Sequence, residues 1–289
     1  MKQMKAMVLG ASLLTLAACG SQATEQQERS TGATTAPEQA AHADVEAPGP
    51  PSAAEVLRSI YALESEDGRS ATSEAGAIAT YWLGHAFELN GQSYFTGFTT
   101  LTAEPDGATE SSNSMEPGHV AIGQATFQRD VDGGAWSNIS TDGYAGEFGK
   151  LNNAETIDES REVESNATPD DRLVLAVPVR DFDQGVAYSN YAVLIFNPDG
   201  VEGQPFRVWT YAGTIQAGSD NEAACEGGVL TCAKSEGKLT FEADPNGGLP
   251  RLRVELAGNE VAGPGRLRAL DSSDALILTY DESAERYVE

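Results

Sequence analysis

Short apolar runs, each closed by a Gly, Asn or Asp turn, fill the chain from His85 to its end. Runs this short bury a side efficiently only as strands, because strand side chains point to opposite faces at every second residue. "KLTFEA" places Leu239, Phe241 and Ala243 on one face, and "RLRVEL" turns Leu252, Val254 and Leu256 inward and Arg251, Arg253 and Glu255 outward. "HVAIGQATF" and "DRLVLAVPV" read as buried strands, the second ending near Pro178. Asn90-Gly91 inside "HAFELNGQSYFTGF" is a type I′ hairpin signal, since both residues tolerate positive φ. Asn197-Pro198-Asp199-Gly200 makes a turn after "YAVLIF", and "ALILTY" and "ERYV" finish the chain. Strands this closely spaced predict a mainly β protein, an antiparallel sandwich or barrel-like domain.

One helix is expected ahead of them. In "SAAEVLRSIYALESEDG", Ser52 and Glu55 form a capping box after Pro50-Pro51. Val56, Leu57, Ile60 and Tyr61 trace one face suited to docking on a sheet, and Gly68 is expected to close the segment. Upstream, residues 20–51 are rich in Ala, Thr, Gln, Glu and Pro, and they contain no Phe, Tyr or Trp. Such a stretch buries too little apolar surface to offset its ordering entropy, so it reads as a disordered tether. Its root-mean-square reach is roughly 30 Å.

The extreme N-terminus carries a different signal. Lys2 and Lys5 precede an apolar core from Ala6 to Ala18, shorter than the roughly 20 residues a membrane span needs. This is the pattern of a secretory signal peptide. The tetrad Leu16-Ala17-Ala18-Cys19 resembles the lipobox of bacterial lipoproteins. That resemblance implies cleavage before Cys19, alkylation of its thiol by a diacylglyceryl group and acylation of the freed amine. Two or more acyl chains anchor stably where one does not. Gly20 and Ser21, rather than aspartate, follow the cysteine, as in lipoproteins sent to the outer membrane. The resemblance therefore implies a lipid-anchored protein of the cell envelope, facing the periplasm. The chain divides into a signal (1–18), a lipidated tether (19–51) and a β-rich domain (52–289).

Charge and cysteines narrow the function. The chain has 44 acidic and 18 basic residues, a net charge of −26, and loses two of the bases with the signal. Such a surface repels nucleic acid and favours cationic partners. With Cys19 lipidated, Cys225 and Cys232 remain as a pair in "CEGGVLTC". An oxidising envelope predicts a disulfide between them, with Gly227-Gly228 letting the loop turn. Redox chemistry would prefer Cys-x-x-Cys, and zinc would need further ligands that no nearby histidine supplies.

Catalytic signals are sparse. His42, His85 and His119 lack metal or nucleophile spacing and read as structural, and no nucleophile elbow, phosphate loop or dinucleotide fingerprint occurs. "RDVDGG" (Asp130, Asp132) and "RDFDQG" (Asp181, Asp183) are weak calcium candidates, because neither continues to a distal glutamate; solvated turns explain both. Between Glu155 and Asp171 seven acids face one base, Arg161. This segment reads as a solvated loop or as a docking surface for a cationic protein, with Asp158, Glu159, Glu162 and Glu164 at its centre. Arg251, Arg253, Arg266 and Arg268 form the opposite asymmetry. Tyr144-Ala145-Gly146 and Tyr211-Ala212-Gly213 form an internal echo that chance likeness between hairpins also explains. The expectation is a non-catalytic binding or scaffolding domain without a cofactor or resident metal. The alternatives are an inhibitor-like module that captures a cationic protein such as a lysozyme, and a hydrolase of unrecognised type.

Overall fold

A computed structural model describes residues 48–102, 120–131, 133–201, 203–225, 230–245 and 247–289. All lie within one compact unit, Glu46–Glu289. The signal peptide, Cys19, His42, His119 and Asp132 fall outside the described residues.

Helix α1 (Ala53–Tyr61) is followed by β1 (Ser70–Thr72), β2 (Ile78–Leu89), β3 (Gln92–Thr102), β4 (Val120–Arg129) and β5 (Trp136–Phe148). These strands lie side by side in chain order as a five-stranded antiparallel sheet. The second half holds β6 (Thr156–Ile157), β7 (Glu164–Ala167), β8 (Leu173–Asp183), β9 (Val186–Phe196), β10 (Trp209–Asp220) and the short helix α2 (Glu222–Cys225). After it come β11 (Lys234–Glu242), β12 (Arg251–Gly263), β13 (Arg266–Ala269), β14 (Leu276–Asp281) and β15 (Arg286–Val288). They form a ten-stranded sheet in the order β15-β14-β12-β11-β10-β9-β8-β6, with β7 also on β8 and β13 on β12. The mainly β, sandwich-like architecture expected from the strand pattern is the observed one, and the sheets do not close into a barrel.

The long sheet bends, and this explains the continuous apolar runs. Strand β10 meets β11 only through Gly218–Asp220, after two register shifts against β9. The sheet folds back there, so β8, β9 and the start of β10 are covered on both faces. Leu173, Leu175, Val177, Leu194 and Phe196 face the five-stranded sheet, where they meet Phe98, Val120 and Ile122. The alternate residues Val174, Ala176, Val193 and Ile195 face β11–β15, where they meet Leu239, Leu252, Val254 and Leu278. A strand buried on both faces has no polar face to display.

Pro178 does not end β8, which runs through it to Asp183. It interrupts the neighbouring edge instead: β7 pairs with Leu173–Ala176 and β6 with Val179 and Arg180, leaving a gap at the proline. The Pro178 carbonyl accepts from Asp158 N (2.9 Å) on that side, so its missing N–H faces the edge and not the β9 ladder.

The helix behaves as its sequence directs, except at its end. Glu55 N donates to Ser52 Oγ (3.3 Å) and Ser52 N to Glu55 Oε2 (2.7 Å), so the capping box forms. The helix docks on the outer face of the first sheet, with Val56 among Phe95, Ala125 and Phe127. Gly97 makes room for it, because a Cβ there would lie 2.3 Å from Val56 Cγ2. The helix ends at Tyr61 with Ala62 in the left-handed region (φ 55°), well before Gly68. Arg58 pairs back to Glu64 (3.0 Å) and Tyr61 Oη bonds Thr99 Oγ1 (3.0 Å), which turns the chain off the helix early. The Asn90-Gly91 hairpin has φ of 52° and 74°, the I′ signature. The two Tyr-Ala-Gly segments both sit at register shifts, but Ala145 packs into the core between the sheets and Ala212 into the other core. Their likeness is one of local bulge geometry.

A polar chain runs through the main core. Trp209 Nε1 donates to Thr96 Oγ1 and Thr126 Oγ1, both at 3.1 Å. Thr126 donates to Gln124 Oε1 (2.7 Å), Gln124 Nε2 to Ser140 Oγ (2.9 Å), and Ser140 to the Phe206 carbonyl (2.7 Å). Since the Thr126 proton goes to Gln124, Thr96 is the donor in its 3.0 Å contact with Thr126. Every hydroxyl and amide in this chain thus has one consistent direction, and the chain ties β3, β4 and β5 to the segment leading into β10. No helix among the described residues is long and apolar enough to cross a membrane.

Candidate functional site

Cys225 and Cys232 are joined by a disulfide with a Cα–Cα distance of 5.2 Å. Asn221 closes the same loop, donating from Nδ2 to the Thr231 carbonyl (3.0 Å) and accepting Ala233 N at Oδ1 (2.7 Å).

The acidic segment is not a uniform docking face. The Asp158 side chain is only 4% exposed and is held by Arg161 Nε (2.9 Å) and Arg180 Nη2 (2.6 Å). It accepts as well from Ser160 N (3.1 Å) and Ser160 Oγ (2.6 Å). Burial alone would raise this carboxyl, but the bonds from Ser160, Arg180 and Arg161 hold it below the usual carboxylate range. Arg161 in turn lies over the Tyr191 ring (4.7 Å) and donates to the carbonyls of Val179 (3.1 Å) and Asn190 (2.7 Å). Asp158 is therefore an internal clamp that fills the gap at Pro178, and it is unavailable to a partner. Glu159 and Glu162 are exposed, and Glu164 is half-buried on β7.

The calcium candidates lie apart. Asp130 is exposed at the β4–β5 connection, while Asp181 pairs with Lys150 and Asp183 is exposed near the β8–β9 turn. Among the described residues no three His, Cys, Asp or Glu side chains converge as a metal-binding group. Three of the four arginines are matched locally: Arg251 with Glu242 (3.1 Å), Arg253 with Glu255 (3.1 Å), and Arg268 with Glu260 (2.7 Å) and Asp274 (2.8 Å); Arg266 is exposed on β13. The Arg251–Glu242 and Arg268–Glu260 pairs lie directly across from each other on neighbouring strands, as on a solvated sheet face.

Glu155 stands out only in the structure. Thr214 Oγ1 donates to its Oε2 (3.2 Å), and the Tyr211 hydroxyl donates to Thr214 (2.6 Å). Trp82 Nε1 donates to the Glu155 carbonyl (3.1 Å), closing the site from the first sheet. Burial pushes the carboxyl up to about 7, with the Asp181 charge adding, while the Thr214 bond and Lys150 pull it down. In sequence Glu155 is one acid among seven. Its neighbours Tyr211 and Thr214 lie more than fifty residues away, so no local signal marks it.

The sign of its effect follows directly. A folded pKa above the roughly 4.3 of an unfolded glutamate means stability is greatest below about pH 4 and is lost as pH rises through about 7. Glu155→Gln should match the wild type near pH 4 and exceed it near pH 8.5 by about 1 kcal/mol, a figure discounted for the half-open site. Urea unfolding midpoints at the two pH values check this, and parallel pH curves for both proteins would refute it.

One end of the sandwich gathers exposed apolar side chains. The β4–β5 pair runs from Arg129 opposite Trp136 to Val120 opposite Phe148, about 30 Å at strand rise. Pro48, Gly49 and Pro51 lie with Phe127, Ala135 and Trp136 around a groove, so the described chain comes in at the Trp136 end. At the Phe148 end, Lys150 pairs with Asp181 beside the β8–β9 turn. The α2 residue Ala224 abuts Gly185 of that turn, where a Cβ would meet it at 2.9 Å. Gly265 N of the β12–β13 turn donates to Thr231 Oγ1 (2.9 Å) of the disulfide loop. Four connections thus meet, and they present Leu151 (84% exposed), Phe182 (64%) and Leu230 (54%), with Val261 and Leu267 also exposed. No protein-family model, no curated protein and no solved structure matches the chain.

Proposed function

We propose that this is a lipid-anchored protein of the bacterial cell envelope whose β domain binds a partner and performs no catalysis. The observation that carries the binding reading is the set of apolar side chains on separate loop tips at the end away from Pro48. Single exposed apolar residues are ordinary, but several brought to one end by unrelated connections mark an interaction surface. The anchoring reading is supported by Lys2, Lys5, the short apolar core and Leu16-Ala17-Ala18-Cys19.

Metabolic labelling with palmitate tests the anchor. The wild type should take up label and stay with the membrane fraction, whereas Cys19→Ala should take up none and leave that fraction. Equal labelling of the two proteins would overturn the anchor.

A further inference from the structure

We infer that the free side of β2 pairs antiparallel with the same strand of a second copy, joining two five-stranded sheets into one. Leu89 and Gln92 close the two-residue hairpin, and in such a turn these flanking residues exchange backbone hydrogen bonds. Counted back in steps of two, Phe87, His85 and Leu83 also point their backbone groups at β3. Gly84, Ala86 and Glu88 therefore aim both N–H and C=O away from it. On that side β1 covers only Ile78–Thr80, and Tyr81 N donates to the Arg69 carbonyl (2.8 Å). Beyond Tyr81 no strand among the described residues pairs with this side, and Gly84, Ala86 and Glu88 are all exposed. No proline or lysine lies between Ile78 and Leu89 to blunt the edge.

Other edges are covered or short. β5 lies against β10, where Gly146 meets Tyr211 and Ser140 bonds the Phe206 carbonyl. β6, β7, β13 and β15 have two to four residues each.

The free ladder selects an extended backbone, and the side chains select which one. About a two-fold axis at Ala86, Gly84 of each copy faces Glu88 of the other and Ala86 faces itself. Every free group on both edges is then paired, whereas a shift of two residues leaves part of the ladder unused. Gly84 suits this register because the Tyr81 hydroxyl fills the place of its side chain, where a Cβ would collide with it. The second copy's Glu88 carboxylate arrives beside that hydroxyl, with Arg69 lying over the Tyr81 ring (5.7 Å) behind it. Glu66, Asp67 and Glu74 flank Arg69 in the same connections, and Asp67 is engaged by its own turn, accepting from Arg69 N (2.7 Å) and Ser70 N (2.6 Å). The net charge of −26 opposes approach, but physiological salt screens it over about 8 Å, while the ladder acts at contact.

Cysteine crosslinking of the full-length chain in intact cells tests the inference. Residues facing each other in such a pair have Cα atoms about 5.5 Å apart, within disulfide reach. Ala86→Cys should therefore give a disulfide-linked homodimer on oxidation, and Ile277→Cys, on the outer face of β14, should give little. In the Ala86→Cys background, Glu88→Arg or Arg69→Glu should each lower the dimer yield at least threefold, and the two together should restore it. Unchanged melting temperatures would show that the fold is intact in each variant. Failure of the double exchange to restore the yield would overturn the antiparallel register. An adduct with a different protein, or monomer alone from Ala86→Cys, would overturn pairing between copies.

Discussion

Trp209→Ala should destabilise the domain by about 4–5 kcal/mol, the upper range for removing a large aromatic from a core. The indole is fully buried (0% exposed) between Phe98 (5.0 Å between ring centres), Phe196 (5.2 Å) and Phe87 (5.9 Å). Its loss would leave a cavity between the sheets and strip Thr96 and Thr126 of their shared donor. For a domain of this size the melting temperature should fall by roughly 10 °C. Trp209→Phe separates the two contributions. It keeps most of the apolar volume and removes only the N–H, so it should cost about 1–2 kcal/mol, the scale of an orphaned buried polar group. Denaturant unfolding of both variants measures the split. If Trp209→Phe is as damaging as Trp209→Ala, the polar chain governs the core; if it is neutral, the chain contributes no stability.

Asp158→Ala should cost about 3 kcal/mol. Removing one member of a buried ion pair leaves the other buried without compensation, typically at 3–5 kcal/mol. The lower figure applies because Arg180 is more than half exposed (58%) and keeps water near the site. Arg161 is the residue left stranded: it lies under the edge of β8 against Tyr191, and its Nη1 is buried without a hydrogen bond even in the intact protein. A carboxyl held below its ordinary pKa stabilises fully above the unfolded value near 3.9 and loses that effect as pH falls below it. The wild type should therefore lose stability below about pH 4 more steeply than Asp158→Ala. Urea midpoints from pH 7 to pH 3 test this. A cost under 1 kcal/mol at pH 7 would mean that solvent screens the pair and that the segment is the loose loop its composition suggests.

These two residues show where sequence reading stops. Trp209 lies in a strand whose apolar pattern is visible, yet its hydrogen-bond partner Thr96 is 113 positions away. Asp158 looks like one of several acids on a solvated surface, and only the gap opposite Pro178 makes it internal. Leu151 and Phe182 carry no marker in their own neighbourhoods, because what makes them a surface is the meeting of four separate connections.

The sequence by itself determined the strand-rich class, the capping box at Ser52, the I′ hairpin at Asn90-Gly91 and the pairing of Cys225 with Cys232. Each depends on residues a few positions apart, where backbone preference and side-chain alternation act directly. Tertiary structure alone decided the bend after β10 that buries both faces of β8 and β9, the early end of α1 at Ala62, the clamp at Asp158 and the raised carboxyl at Glu155. Their cause is desolvation and contact between segments far apart in the chain, and those energies exist only once the sheets have packed.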